Sequence, residues 1–214
     1  MSAQASQVKI KDTKIFVLDQ GAHRQLLHAK HPDHEVDLRT RAIYLLQRVT
    51  AMRISEALAL DLGQVWDGHD VSNYVALKAH QTKFKRNGRN LSLLDKYRQA
   101  HTALRNYIRF REKSGGAIDM HGPLFVSVEG KRLDRTAAHR ALRRWAMAAG
   151  LPVGKEGGIT THTARHTKLS EAVNKGDIGL AVAIAGHADP RTLTDRYLHV
   201  DLAKMHDHNK AQTL

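Results

Sequence analysis

Residues 162–166 read His162-Thr163-Ala164-Arg165-His166, with Thr167 next. The spacing predicts a helix over about 163–175 closed by Gly176, so this stretch opens a helix. The i, i+3 interval places His162 and Arg165 on one face of its first turn. Free backbone N–H groups and the helix dipole favour an anion at that end. His162 and His166, at i, i+4, also have the spacing of a metal pair. The glutamate that a metalloprotease helix carries beside its first histidine is absent, with Thr163 in its place. Anion recognition is the reading the residues support.

Outward from this stretch lie three further islands. Towards the N-terminus stands Thr50-Ala51-Met52-Arg53-Ile54-Ser55-Glu56-Ala57-Leu58, an arginine at a helix start with a glutamate three positions on. Alone it is an ordinary helical turn with an Arg–Glu contact. Lys83 follows in a basic stretch, Lys83-Phe84-Lys85-Arg86-Asn87-Gly88-Arg89, where a lysine is normally solvated. Towards the C-terminus come Ala185-Gly186-His187 and Arg196-Tyr197-Leu198-His199-Val200. A tyrosine on a short amphipathic helix is usually a core residue.

The frame around these islands is basic. The 214 residues carry 34 Lys+Arg against 21 Asp+Glu, a formal net charge of +13, with 15 histidines and no cysteine. The missing cysteine excludes a disulfide scaffold, a thiolate nucleophile and a zinc–thiolate site. No apolar run approaches a membrane span. A positive excess of this size points to a polyanion, because Lys and Arg displace counterions condensed on phosphates. The histidines are scattered, which favours solvated or phosphate-facing positions for most of them.

Periodicity predicts a mainly α chain, one domain, with a small antiparallel β-hairpin. Asp19 caps a helix carrying Leu26 and Leu27, and a second helix follows His31-Pro32-Asp33 with Leu38, Ala42, Leu45, Leu46 and Val49 on one face. Ile54 to Leu60 reads helical. Val71, Tyr74, Val75 and Leu77 on one side and Leu91, Leu93 and Leu94 on the other flank Asn87-Gly88, a hairpin signal with a Lys/Arg-rich tip. Leu94, Tyr97, His101, Leu104 and Ile108 resume helical spacing. Asp134 opens another helix ended by Gly150, with Ala138, Ala141, Leu142 and Trp145 along one face. Two short helices, about 177–185 and 190–200, finish the pattern, and residues 1–16 read as a tail or edge strand containing Val8-Lys9-Ile10.

In chain order the islands supply Arg53, Lys83, His162 with Arg165, Gly186-His187 and Tyr197. This series resembles the catalytic domain of the tyrosine recombinases, the phage-integrase family. The likeness is strongest at Arg53–Leu58, at His162–Thr167 and at Gly186-His187 with Tyr197. Val17-Leu18 and Pro123-Leu124-Phe125 add weaker similarity, and the resemblance runs over residues 17–200. It implies the DNA breaking–rejoining fold, with a catalytic domain over 17–202 and a tail, 203–214, contacting a neighbouring protomer.

The resemblance also implies a chemistry. Tyr197 would attack a DNA phosphodiester to give a 3′-phosphotyrosyl link, so neither cofactor nor metal is called for. Arg53 and Arg165 would clamp the non-bridging oxygens. Lys83 would protonate the departing 5′-oxygen, His162 would assist proton transfer and His187 would bond the phosphate. Lys85, Arg86, Arg89, Arg135, Arg140, Arg143 and Arg144 are the candidates for holding double-stranded DNA. The expected partners are duplex DNA, further copies of the chain in a tetramer on paired sites, and accessory DNA-bending proteins, in a bacterial or phage-encoded cytoplasmic setting. Two departures stand out. His187 to Tyr197 is ten residues, one beyond the family's usual spacing. The family's N-terminal DNA-binding domain has no counterpart here, so the chain resembles in size the single-domain fimbrial phase-switch recombinases or a catalytic fragment of a longer integrase. A type IB topoisomerase and a non-cleaving DNA-binding regulator of the same fold are the other readings.

Overall fold

Three aspartates start helices by turning their carboxylates back on the first free N–H groups. Asp19 accepts from the Ala22 N–H at 2.7 Å, opening α1 (Gln20–His28). Asp33 accepts from Val36 at 2.9 Å, opening α2 (His34–Thr50). Asp134 accepts from Thr136 and Ala137 at 2.7 and 2.9 Å, opening α5 (Arg135–Ala148). Each such cap stabilises its helix by about 1 kcal/mol. The structure, a computed structural model, describes residues 16–82, 88–115, 118–154 and 158–186.

Helix α2 is the axis of the molecule, with ten of its 17 residues buried. Ala42, Ile43 and Leu46 face a core shared with α3 (Ile54–Leu58), the small sheet and α4 (Gln99–Lys113). Tyr44 and Leu45 face a second core containing Leu26 of α1 and Leu142, Trp145 and Ala146 of α5. At its C-terminal end, Ala51 joins a third core made with α6 (Thr163–Asn174) and α7 (Ile178–Ala185). A helix buried on several sides cannot show one clean apolar stripe, because its polar residues are buried as well.

The sheet is the expected antiparallel pair, β1 (Tyr74–Leu77) and β2 (Arg89–Ser92), with Leu77 opposite Arg89 and Tyr74 opposite Ser92. Val75, Leu77 and Leu91 point inward while Tyr74 and Ala76 face out, the period-2 alternation of a half-buried strand. A 3-10 turn at Ala79–Gln81 follows β1 directly, so the connection is longer than a two-residue turn. Arg89 belongs to the strand and not to the tip. Gly88 is needed for close approach: a Cβ there would lie 2.4 Å from the Leu77 carbonyl oxygen. Lys83, Lys85 and Arg86 lie outside the described residues.

Helix α4 starts later than its apolar spacing predicts. Leu94 and Tyr97 are 44% and 69% exposed. The Asp95 carboxylate accepts from the N–H groups of Tyr97, Gln99 and Ala100, and Arg98 enters the left-handed region at φ 50°. These local bonds compete with the helix and delay it. His101, at 1% exposure, and His31, at 7%, are buried, His101 on the apolar face where its spacing with Leu104 and Ile108 puts it. Gly150 and Gly176 end α5 and α6 at φ 67° and 82°, as the sequence predicts. The expected helix at 190–200 and the segments 1–15 and 203–214 fall outside the described residues. Among the described residues no helix is long and apolar enough to cross a membrane.

Candidate active site

The site begins where α2 stops. Thr50 donates its hydroxyl to the Leu46 carbonyl at 2.6 Å and accepts from the Met52 N–H at 3.3 Å. Ala51 then takes φ 54°, ψ 21° and donates its N–H to Gln47 O at 2.8 Å. An L-residue in this left-handed region costs about 1–2 kcal/mol. The turn buries Met52 completely and leaves Arg53 in an extended conformation as the cap of α3.

Arg53 and Glu56 form more than a helical-turn contact. The Arg53 N–H donates to Glu56 Oε2 at 2.8 Å, and its guanidinium donates to Oε1 at 3.1 Å. Arg89 reaches the same carboxylate from β2, at 2.8 and 3.3 Å. Glu56 is fully buried, at 0% exposure. Burial alone would push its carboxyl up; the Arg89 hydrogen bonds, the Arg53 backbone N–H and the two positive charges outweigh this and hold it below the usual value. One carboxylate thus fixes two arginines.

On the other side, Arg165 sits in the first turn of α6 at 4% exposure. Its guanidinium donates to the Ala51 carbonyl and, at 3.0 Å, to the Ala185 carbonyl at the end of α7. It therefore grips the turn two residues before Arg53. Gly186 closes α7 at φ 62°, and a Cβ on it would lie 2.9 Å from Arg89 Nη1. Glycine is required here for both the turn and the approach. The contacts close a circuit: Arg53 to Glu56, Glu56 to Arg89, Arg89 past Gly186 to Ala185, then Arg165 back to Ala51.

His162 caps α6 and is exposed, its N–H donating to Thr160 Oγ1 at 3.2 Å. The rings of His162 and His166 are 6.0 Å apart. Among the described residues no three His, Asp or Glu lie together as a metal site would require. The structure thus brings Arg53, Arg165 and the His162 turn together around one circuit, in which Glu56 and Arg165 are buried. Its chain continues from Gly186 to His187, which, like Lys83 and Tyr197, lies outside the described residues.

Two members of this circuit differ from their sequence reading. Arg89, expected among the DNA contacts, spends its guanidinium on Glu56. Glu56 itself, which reads as a partner for one arginine, serves two. The Arg-Ile-Ser-Glu spacing signals only the local half of that arrangement. Arg135, Arg140, Arg143 and Arg144 all lie exposed along α5, opposite buried Ala138, Leu142 and Trp145. Guanidinium groups held in this way can take a phosphate at the circuit and more phosphates along α5.

The chain is similar to known proteins. Tyrosine recombinase XerC of Alcanivorax borkumensis is 30% identical over 206 residues, covering 93% of this chain and 61% of XerC. Tyrosine recombinase XerD of Oceanobacillus iheyensis is 29% identical over 200 residues, covering 92% and 62%. The chain thus spans about three fifths of the length of these relatives. Among solved structures, XerA recombinase superposes with a TM-score of 0.69 at 22% identity, over 93% of this chain and 66% of that one. XerH site-specific recombinase, bound to a palindromic difH substrate after cleavage, gives 0.67 at 19%, over 91% and 52%. At such identities these structures establish the shared fold. The model of the phage integrase family matches residues 17–204, spanning α1 to α7 and every residue of the circuit, and the chain belongs to that family.

Proposed function

We propose that the chain carries the cleavage and rejoining machinery of a site-specific DNA recombinase. The observation that supports it best is the Arg165–Ala51 contact, which holds two motif arginines to one turn although 112 positions separate Arg53 from Arg165. Tyr197 attacks the scissile phosphorus; the tyrosyl O–P bond forms and the P–O5′ bond breaks. Arg53 and Arg165 stabilise the charge gathering on the non-bridging oxygens. Lys83 donates a proton to the leaving 5′-oxygen, His162 assists proton transfer at the tyrosine, and His187 bonds the phosphate. A free 5′-hydroxyl attacking the phosphotyrosine reverses the step on a new strand. The exposed arginines of α5 hold the duplex, and a tetramer on two sites carries out paired exchange.

The test uses a nicked duplex bearing the sequence that the protein selects from a randomised pool. A denaturant-resistant protein–DNA adduct should accumulate, persist in EDTA and vanish in Tyr197→Phe. An adduct surviving in Tyr197→Phe would overturn the nucleophile. Relaxation of supercoiled plasmid without paired sites would replace recombination with topoisomerase activity, and sequence-selective binding without any adduct would leave a regulator.

A further inference from the structure

Gln47 lies one turn before the end of α2, at 1% exposure. Its side-chain amide nitrogen donates to the Met52 carbonyl at 3.0 Å and to the Thr161 carbonyl at 3.2 Å. Met52 is the residue before Arg53, and Thr161 is the residue before His162. One NH2 group thereby ties together the two irregular turns that present the motif residues. Both amide hydrogens are committed, one to each turn.

Packing beside the amide is incomplete. A cavity of about 10 Å³, lined in part by Thr40, Ile43, Gln47, Ala138, Leu142 and Thr161, lies beside the amide. It has room for roughly one water molecule. Arg165 bonds Ala51 from the far side, but its guanidinium is one of the groups to be positioned.

We propose that Gln47 is a positioning residue that sets the placement of Arg53 relative to His162 and Arg165; its catalytic consequence rests on the recombinase reading above. Gln47→Met keeps the length and volume and removes the two donors. Gln47→Glu keeps the shape but sets carboxylate oxygen against two carbonyl oxygens. Either change lets the two turns shift independently, and a displacement near 1 Å at reacting groups costs about 100-fold in rate.

The experiment uses the full chain with the selected nicked duplex. In Gln47→Met, adduct formation at saturating DNA should slow about 10- to 100-fold with DNA affinity unchanged. Hydrogen exchange should quicken together in peptides covering 50–54 and 159–163, with α4 still protected. Ile108→Ala, on the buried face of α4, should lower the melting temperature while leaving the adduct rate of the folded protein as in wild type. Loosening of only one turn in Gln47→Met would overturn the tie, and an unchanged adduct rate would overturn its catalytic role. Paired loosening, in a protein whose wild type forms no adduct, would overturn the recombinase reading and leave the tie standing.

Discussion

Two sets of arginines divide this molecule. Arg39, Arg111 and Arg165 are 6%, 9% and 4% exposed and aim at backbone carbonyls. Arg39 donates to Val126 O at 2.6 Å, and Arg111 donates to Pro123 O and Leu124 O at 3.1 and 2.8 Å. Arg135, Arg140, Arg143 and Arg144 instead stand in solvent along α5. The same residue type bonds loop carbonyls in one region and stands in solvent in the other. A net charge of +13 therefore overstates the positive surface, because part of it is spent inside the fold. A guanidinium suits the interior task, since its five donors satisfy several carbonyls at once.

The contrast is sharpest at Glu56, where a buried carboxylate serves Arg53 and Arg89. Glu56→Gln should destabilise the fold by about 3–5 kcal/mol, because it strips the counter-charge from two largely buried guanidiniums. Denaturant unfolding measures this, and a loss within error would show that both cations find water. The pH dependence has a defined sign. The folded carboxyl is held below its ordinary value, so its stabilisation is present above the unfolded pKa and is lost as pH falls through the folded one. Wild type should accordingly lose more stability on acidification than Glu56→Gln.

Arg111→Met should cost less, about 1–3 kcal/mol, as two carbonyls of the 123–124 segment lose a donor. The salt dependence of DNA binding by the folded protein should not change. A shallower salt slope in this variant would move Arg111 into the DNA-contacting set. At the small end, Arg140→Ala and Arg144→Ala should alter stability by no more than about 0.5 kcal/mol each. Each should lower the slope of log K against log salt by about 0.9 if its phosphate contact is lost. An α5 pair that leaves the slope intact while lowering the melting temperature would erase the distinction.

The helix starts at Asp19, Asp33 and Asp134 and the stops at Gly150 and Gly176 were legible because each is a bond or a backbone conformation spanning a few residues. Strand pairing was legible in the alternation of Val75, Leu77 and Leu91. The onset of α4 was not: apolar spacing runs on through Leu94 and Tyr97, while the Asp95 carboxylate diverts the backbone into a turn. The motif arginines could be picked out by their order along the chain, yet their partners could not. Arg89 finds Glu56 across 33 positions, and Gln47 finds Thr161 across 114.

By itself, then, the sequence determined what depends on local bonds and short periods: the helices, the strand pair, the basic character and the spacing of the motif residues. Only the tertiary structure decided which arginines would be fasteners, which would share Glu56 and which would face solvent. Every guanidinium carries the same charge and the same donors. What separates them is which carbonyl, carboxylate or water the packed helices leave within about 3 Å, the reach of a hydrogen bond.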